Sequence, residues 1–319
     1  MENPNISFII PARNEEGFLP RSILSIKKAV DNKTAYEIIV VDNNSTDNSV
    51  LVSKSLGAKV IKNLIPNIAR SRNQGAFNAK GDLLAFVDAD CLLDPKWYEM
   101  VSNHLKMPGI VAVGAKICPD WEDATWVEKT IFKLNKRRGK SKAEGFLRVN
   151  WVGTSNLAIR KDDFFEVGGF NEELQVSEDV DLCSKIKRKG DIILDHTVFT
   201  IHLRESKTIL ELFLREFWRG GDCLLQWKKN DFELGDVPSV FGPPAFLLLI
   251  SLSILAVFYS LLISIVLIFF AAIIPFYLVF RSIENIMGFT DFFKASAVSF
   301  VYVVARGFSF VNEFFGRKK

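Results

Sequence analysis

Short, unbroken apolar runs alternate with longer amphipathic stretches through the first third of the chain. Ile6–Ile10, Glu37–Val41, Lys59–Lys62, Leu83–Val87 and Ile110–Val113 have the length and composition of buried strands. Between them, Glu16–Val30, Asn48–Leu56, Ile68–Ala79 and Pro95–Leu105 repeat their apolar residues at helical spacing. A strand without a polar face must be covered on both sides. The alternation therefore predicts an α/β fold with a mostly parallel central sheet and helices on both faces. Ligands of such sheets bind outside the carboxyl ends of the strands, so the chemistry is sought there.

The pattern changes completely towards the C-terminus. Phe241 to Phe280 is a run of 40 residues without a single charge. One membrane crossing needs roughly 20 apolar residues, so the run is long enough for two. It predicts a transmembrane hairpin over 241–283, turning near Tyr259–Ser264, with Pro243 and Pro244 at its entry and Pro275 late in its second helix. Ala295–Phe315 is also apolar but carries Arg306 and Glu313, which favours an interfacial helix over a third span or a re-entrant segment. Lys228, Lys229, Arg281, Arg317, Lys318 and Lys319 flank these segments and mark their side as cytoplasmic. The expected division is a soluble domain over 1–235, the hairpin over 241–283, and an interfacial or third membrane-associated helix with a basic tail over 284–319.

Composition sharpens that division. Of 28 Phe, 15 lie in the last 79 residues. The first 240 residues hold 34 basic and 34 acidic side chains, so the whole formal charge of +3 falls after them. A near-neutral soluble domain argues against a nucleic-acid partner, whereas membrane lipids are an expected one. Cys91, Cys118, Cys183 and Cys223 are far apart without a CxxC pair and read as reduced cytosolic thiols. Met1 to Pro4 leads straight into a strand, without the pattern of a secretory signal.

The early strands end in polar residues: Pro11-Ala12-Arg13-Asn14-Glu15-Glu16, then Asp42-Asn43-Asn44-Ser45-Thr46-Asp47, then Asp88-Ala89-Asp90. Turn chemistry and helix capping account for Asn43–Asp47 about as well as ligand binding does. Asp88 and Asp90 follow the buried run Leu84–Val87, so both carboxylates emerge at the ligand edge. Two acids so close repel unless a cation or basic group joins them, and hard oxygen ligands suit Mg²⁺ or Mn²⁺.

Four motifs in register carry a resemblance: Ile9-Ile10-Pro11-Ala12-Arg13-Asn14-Glu15-Glu16, Ile39-Val40-Val41-Asp42-Asn43-Asn44-Ser45-Thr46-Asp47, Ala69-Arg70-Ser71-Arg72-Asn73-Gln74-Gly75 and Phe86-Val87-Asp88-Ala89-Asp90. Over about residues 5–205 the chain resembles a family-two inverting glycosyltransferase of GT-A fold. The resemblance implies a nucleotide-sugar-binding sandwich, a nucleotide-diphosphate sugar as donor, a divalent cation and inversion at the anomeric carbon. It implies that Pro11, Arg13 and Glu15 line the nucleotide pocket, that Asp42 meets the base or ribose, and that Arg70 and Asn73 sit near the nucleotide or phosphates. A capping or surface role for the Arg70 helix stays open beside that. Asp88 would face the donor sugar or ribose, and Asp90 would hold the metal.

Further along, Trp151-Val152-Gly153 through Arg160 resembles the strand flooring the acceptor cleft, so Trp151 and Gly153 are candidate substrate contacts. Glu178-Asp179 resembles the family's acidic pair. Asp179 is implied as general base and Glu178 as a supporting acid, since an attacking hydroxyl must lose its proton as the new bond forms. His202 falls where relatives carry a metal or phosphate ligand, against the alternative of a packed histidine. His104 ends a surface helix and carries no expected role. The amphipathic Arg215–Gly221 reads as a diphosphate contact, a linker helix or a membrane-surface helix anchored by Trp218 and Trp227.

The function expected is a membrane-anchored glycosyltransferase using a nucleotide-diphosphate sugar and a lipid-linked or glycan acceptor, of the kind that serves cell-envelope glycan synthesis. Two rivals remain at this level: a nucleotidyltransferase of sugar phosphates and a non-catalytic membrane scaffold with the same fold. Pro11–Gly17 is not the Gly-rich basic loop that the first would carry, and the retained acids argue against the second.

Overall fold

Strands buried on both faces organise the N-terminal part of the molecule. The computed structural model describes residues 4–30, 34–135, 145–174, 177–220, 237–282 and 288–316. Lys228, Lys229, Trp227, Cys223 and the terminal basic residues therefore lie outside the described residues. The first elements are β1 (Ile6–Ala12), α1 (Leu19–Ala29), β2 (Tyr36–Asp42), α2 (Ser49–Ser55), β3 (Lys59–Lys62), α3 (Ile68–Asn78), β4 (Leu83–Val87), β5 (Cys91–Leu93), α4 (Trp97–Leu105) and β6 (Ile110–Cys118). Then follow α5 (Trp126–Asn135), β7 (Phe146–Val149), β8 (Asn156–Arg160), α6 (Lys161–Glu166), α7 (Glu178–Ile186) and β9 (Asp191–His202). Four helices complete the chain: α8 (Ile209–Arg219), α9 (Val237–Ala256), α10 (Leu261–Arg281) and α11 (Phe289–Gly316).

Two compact units result, one of Met1–Cys118 with Gly139–Leu203 and one of Pro119–Arg138 with Arg204–Lys319. Polar hooks hold two helices within the second unit: on α5, Lys133 pairs with Asp291 at 2.6 Å, and on α8, Glu216 pairs with Arg306 at 2.7 Å.

In the first unit nine strands form one mixed sheet in the order β3-β2-β1-β4-β8-β6-β9-β5, with β7 also on β9. The run β3-β2-β1-β4 is parallel, as the apolar runs predicted. Side chains alternate across β1: Ile6, Phe8 and Ile10 join a core with α1 and α4, while Ile9 joins the opposite core with Phe164 and Leu182. Burying each such side chain contributes about 1.5–3 kcal/mol. Because Ala12 is in register with Asp42, and Val87 with Asn156 of the antiparallel β8, the ends of β1, β2 and β4 and the start of β8 share one edge.

The far end of β9 reaches that edge through a bulge. Its register on β6 jumps from Asp195 to Phe199. The Asp195 carboxylate accepts bonds from Thr197 N at 2.6 Å and Val198 N at 3.2 Å, and lies 2.7 Å from His104 Nε2. Beyond the bulge, β9 pairs with β5, setting His202 beside Cys91. His104, without an expected role, is thus one of the groups that hold the bulge.

In the second unit α9 and α10 form an antiparallel hairpin turning over 257–260. The turn comes slightly before the expected Tyr259–Ser264 because Ser260 caps α10, its hydroxyl accepting from Ile263 N. Leu261–Arg281 and Phe289–Asn312 are long and apolar enough to cross a membrane, and Val240–Ala256 is a shorter apolar helix. α10 exposes Leu262, Ile263, Ile265, Phe269, Phe270 and Phe280 over about 160° of its circumference.

Candidate active site

The β1 and β2 loops are zipped together at the sheet edge. Asn14 N donates to Ser45 Oγ at 3.0 Å and Thr46 N donates to Asn14 Oδ1 at 2.8 Å. Glu16 N donates to Asp47 Oδ2 at 3.1 Å, and Asn48 N returns a bond to Glu16 Oε2 at 2.8 Å. Asp42 is buried and accepts from Ser45 N at 3.2 Å. The capping explanation of Asn43–Asp47 accounts for most of these polar groups, since Ser45, Thr46 and Asp47 all bind loop backbone or side chains. Pro11 and Glu15 are half-buried beside them and Arg13 is exposed.

The centre of the edge is an arginine. Arg72 lies on α3 with 1% of its surface exposed. Its Nη2 donates to Asp88 Oδ1 at 2.8 Å and its Nη1 to Glu178 Oε1 at 2.5 Å, while its guanidinium lies 5.7 Å from the Phe170 ring centroid. A buried cation needs such partners, because an unpaired charge in the interior costs several kcal/mol. Arg72 had no expected role, yet the sequence carried a signal: Ala69, Arg72 and Ala76 share the buried face of α3, so the arginine occupies a core position.

Beside Glu178 stands Asp179, at the first turn of α7. The preceding Ser177 has φ 63°, an uncommon left-handed conformation for serine that marks local strain of about 1–3 kcal/mol. Asp179 Oδ1 accepts from Val180 N at 2.8 Å. Burial first, and the Glu178 charge second, push the Asp179 carboxyl up to about 6; the Val180 bond and Arg72 oppose this and Asp88 adds to it. Gly153 faces this acid: a Cβ built there would lie 3.9 Å from Asp179 Oδ2. Trp151 is partly exposed two residues away, and the carbonyl of the intervening Val152 accepts a weak bond from Cys183 of α7.

On the other side of Asp88, the turn Asp88–Cys91 brings Asp90 to His202, with Oδ1 3.7 Å from Nε2. One ligand atom each from Asp88, Asp90, Cys91 and His202 lies within 4.8 Å of the others. Asp88 already gives one oxygen to Arg72, so Asp90 and His202 are the pair best placed for a cation. A carboxylate with an imidazole suits Mn²⁺ at least as well as Mg²⁺.

Arg70 and Asn73 stand apart from this constellation. The Asn73 amide clamps the following loop, donating to Phe170 O and Glu172 Oε1 at 2.9 Å each and accepting from Phe170 N at 3.0 Å. That clamp needs Gly169 at φ 65°, since a Cβ there would approach Asn73 Oδ1 to 2.9 Å. Arg70 is 3.9 Å from Glu172. Both line a groove of about 470 Å³ with Phe77, Phe165 and Glu172, which includes none of Asp88, Asp90, Glu178 and Asp179.

Comparison with known proteins follows the same residues. The family described as "Glycosyl transferase family 2" matches residues 7–167. Glycosyltransferase AglE of Haloferax volcanii is 24% identical over 238 residues, covering 72% of this chain and 77% of that protein. The glucosyl-dolichyl phosphate glucuronosyltransferase of the same organism is 27% identical over 168 residues, about half of each chain (48% and 53%). Among solved structures, the mannosyltransferase PcManGT of Pyrobaculum calidifontis, in complex with GDP-Man and Mn²⁺, aligns with a TM-score of 0.69 at 14% identity, over 100% of this chain and 89% of that one. GalNAc-T7 with UDP, GalNAc and Mn²⁺ aligns with a TM-score of 0.51 at 20% identity, over 66% of this chain and 47% of that one. At such identities the structural likenesses establish the fold, a GT-A sandwich.

Proposed function

Since the chain belongs to glycosyl transferase family 2, we propose that it transfers a sugar, with inversion, from a nucleotide-diphosphate donor to a lipid-linked or glycan acceptor. The observation that carries this reading is the pair of environments on either side of Asp88. Towards α7, three acids share one buried arginine and Asp179 is lifted to about 6. Towards β9, Asp90 and His202 converge, 3.7 Å apart, in a group that also takes in Asp88 and Cys91.

In the proposed reaction the acceptor oxygen forms its bond to the anomeric carbon as the carbon–phosphate oxygen bond breaks. The bonding pair leaves on the nucleoside diphosphate, and the acceptor proton passes to Asp179. A carboxylate near 6 is ionised at neutral pH yet basic enough to accept that proton. Glu178, paired with Arg72, orients the site, and Trp151 and Gly153 border the acceptor. Pro11, Arg13, Glu15 and Asp42 serve the nucleotide, while Arg70 and Asn73 support it through the loop they hold. Mg²⁺ or Mn²⁺ on Asp90 and His202 would supply positive charge for the departing diphosphate.

The acceptor class has two supports. One relative is named for a glucosyl-dolichyl phosphate, and the apolar helices, two of them long enough to cross a membrane, would hold the enzyme where such lipids reside. Arg281 at the hairpin base favours the cytoplasmic side for that base. The test is a panel of nucleotide sugars incubated with the full chain, Mn²⁺ or Mg²⁺ and membrane lipid extract. Release of UDP or GDP with sugar entering the lipid phase is expected. Pyrophosphate release would instead identify a nucleotidyltransferase, and silence across the panel a scaffold.

A further inference from the structure

α8 is inside out for a helix in water. It buries Glu216 against Arg306 and exposes Leu210, Leu214 and Trp218 at 67%, 57% and 64%. At 100° per residue those three fall within about 80° of one another and opposite the buried Leu212 and Glu216. The charged Glu211, Arg215 and Arg219 form a third strip alongside. A helix with one side on protein, one apolar side open and one charged side has the form of a helix lying in a lipid interface.

Three polar corners fix α8 to α5 and α11. Thr125 Oγ1, at the start of α5, donates to Lys207 O, at the start of α8, at 2.9 Å. Lys133 near the end of α5 pairs with Asp291 on α11. Glu216 and the Arg219 carbonyl near the end of α8 both take hydrogen bonds from Arg306 of α11. At 1.5 Å per residue the α11 side of this triangle measures about 22 Å, and the other two about 12 and 14 Å. Were α11 upright in a bilayer, the Thr125–Lys207 corner would sink roughly 10 Å below the Asp291 end. It would carry Arg204, Glu205 and Lys207 into hydrocarbon, where a charged side chain is costly to bury.

Contacts with the hairpin lead independently to the same orientation. Phe292 stacks on Phe276 and Phe300 meets Phe246, while Gly307 lies against Leu247 and the Pro243 carbonyl. Gly242 faces Ile274, so Phe276 and Pro243 stand at nearly the same level of the hairpin. Over about 22 Å of its own length, α11 therefore advances less than about 10 Å along the hairpin axis. It crosses the hairpin's base. The hairpin tip stays open, with Phe258 and Tyr259 exposed at 84% and 89%. On α11 itself, Phe289, Phe293 and Phe300 lie exposed within about 40° of one another, away from Asp291 and Arg306.

We propose that α5, α8 and α11 form one deck lying in the plane of a lipid surface, with Leu210, Leu214, Trp218, Phe293 and Phe300 as its lipid-contacting residues. Only the α9–α10 hairpin then enters the bilayer, although α11 is long enough to cross it. The inference stands apart from the proposed transfer reaction, and its test needs no activity.

The full chain is placed in phospholipid nanodiscs and spin-labelled at single introduced cysteines: Leu214→Cys, Phe293→Cys, Phe308→Cys, Phe258→Cys at the hairpin tip, and Leu51→Cys as an aqueous reference. Signal from native thiols is subtracted using the unsubstituted chain. Depth is read from collision with oxygen against a water-soluble nickel chelate. Positions 293 and 308 are expected at the same shallow depth, about 5–10 Å below the headgroups, with 214 beside them and 258 far deeper. A depth difference near 22 Å between 293 and 308 would mean that α11 crosses, and would overturn the proposal. So would a position 214 as accessible to the nickel chelate as position 51.

Discussion

Two arginines, one in each unit, are matched with acids in different proportion: Arg72 is fully buried and Arg306 partly so. Arg306 meets the Glu216 carboxylate and the Arg219 carbonyl, and the Arg219 guanidinium lies 3.6 Å from the same carboxylate, so the one acid is fully matched. Arg72 meets Asp88 and Glu178, with Asp179 adjoining, so three carboxyls share one cation. The matched group joins α8 to α11 and leaves no acid in excess. In the unbalanced group, burial first and the Glu178 charge second raise the affinity of Asp179 for a proton. In this molecule an ion cluster whose acid is fully matched is architecture, and one with surplus acid is poised for chemistry.

The strongest way to break that comparison is to remove the surplus acid. Asp179→Asn is expected to lower kcat by about 10²–10⁴-fold, the usual contribution of a general base, while circular dichroism and the melting profile keep their folded form. The unsubstituted enzyme should show a rate that rises with pH through about 6, and the variant's residual activity should lack that limb. Full activity in the variant would remove Asp179 from the mechanism. Equal activity loss in Arg306→Lys, which leaves every acid near Arg72 in place, would erase the distinction between the two arginines.

How far the sequence reveals these features depends on the range of the forces involved. β1, β2 and β4 are legible because strands buried on both faces leave continuous apolar runs, and Asp88–Asp90 because polar residues at such strand ends stand out; β3, at the sheet's edge, has no buried residue. β5 and the bulge in β9 are not legible, since both follow from pairing between distant segments. Arg72 was visible as a charge on the Ala69–Ala76 face of α3, but its partners lie 16 and 106 residues away. The apolar length of α11 was equally plain, and length alone cannot tell a crossing helix from one lying flat. That distinction rests on the Arg306–Glu216 bond to α8.

Replacing each arginine by methionine should produce losses of similar size and different remedy. Stranding a buried carboxylate costs about 3–5 kcal/mol, so both Arg72→Met and Arg306→Met are expected to lower stability against denaturant by about that much. Adding Glu216→Gln to Arg306→Met should restore most of the loss, because Glu216 is the one acid affected and keeps only its 3.6 Å contact with Arg219. Adding Glu178→Gln to Arg72→Met should restore only part, because the half-buried Asp88 still lacks its cation. Arg72→Met should also move the acid limb of the rate upwards, as Asp179 loses a neighbouring positive charge. Full rescue by Glu178→Gln would mean that Asp88 does not share the cation.

The smallest expected effect is on the stability of the folded chain itself. Asp179 ordinarily titrates near 3.8 and in the fold near 6, raised by burial and by Glu178. Folding therefore favours its protonated form. The favourable contribution is fully present below about 4, fades as pH rises through about 6, and is absent at neutral pH, where the ionised acid is held beside Glu178 and Asp88. Asp179→Asn keeps the shape and removes the charge, so its melting midpoint should exceed that of the unsubstituted protein at pH 8 by a few degrees at most and match it near pH 4. Arg306→Lys should show no such crossover, because it leaves Asp179 ionised at pH 8 and protonated near pH 4. A site that destabilises its own fold at the pH where it works is one maintained for its reaction, and an equal midpoint at pH 8 would show that Asp179 is held there without strain.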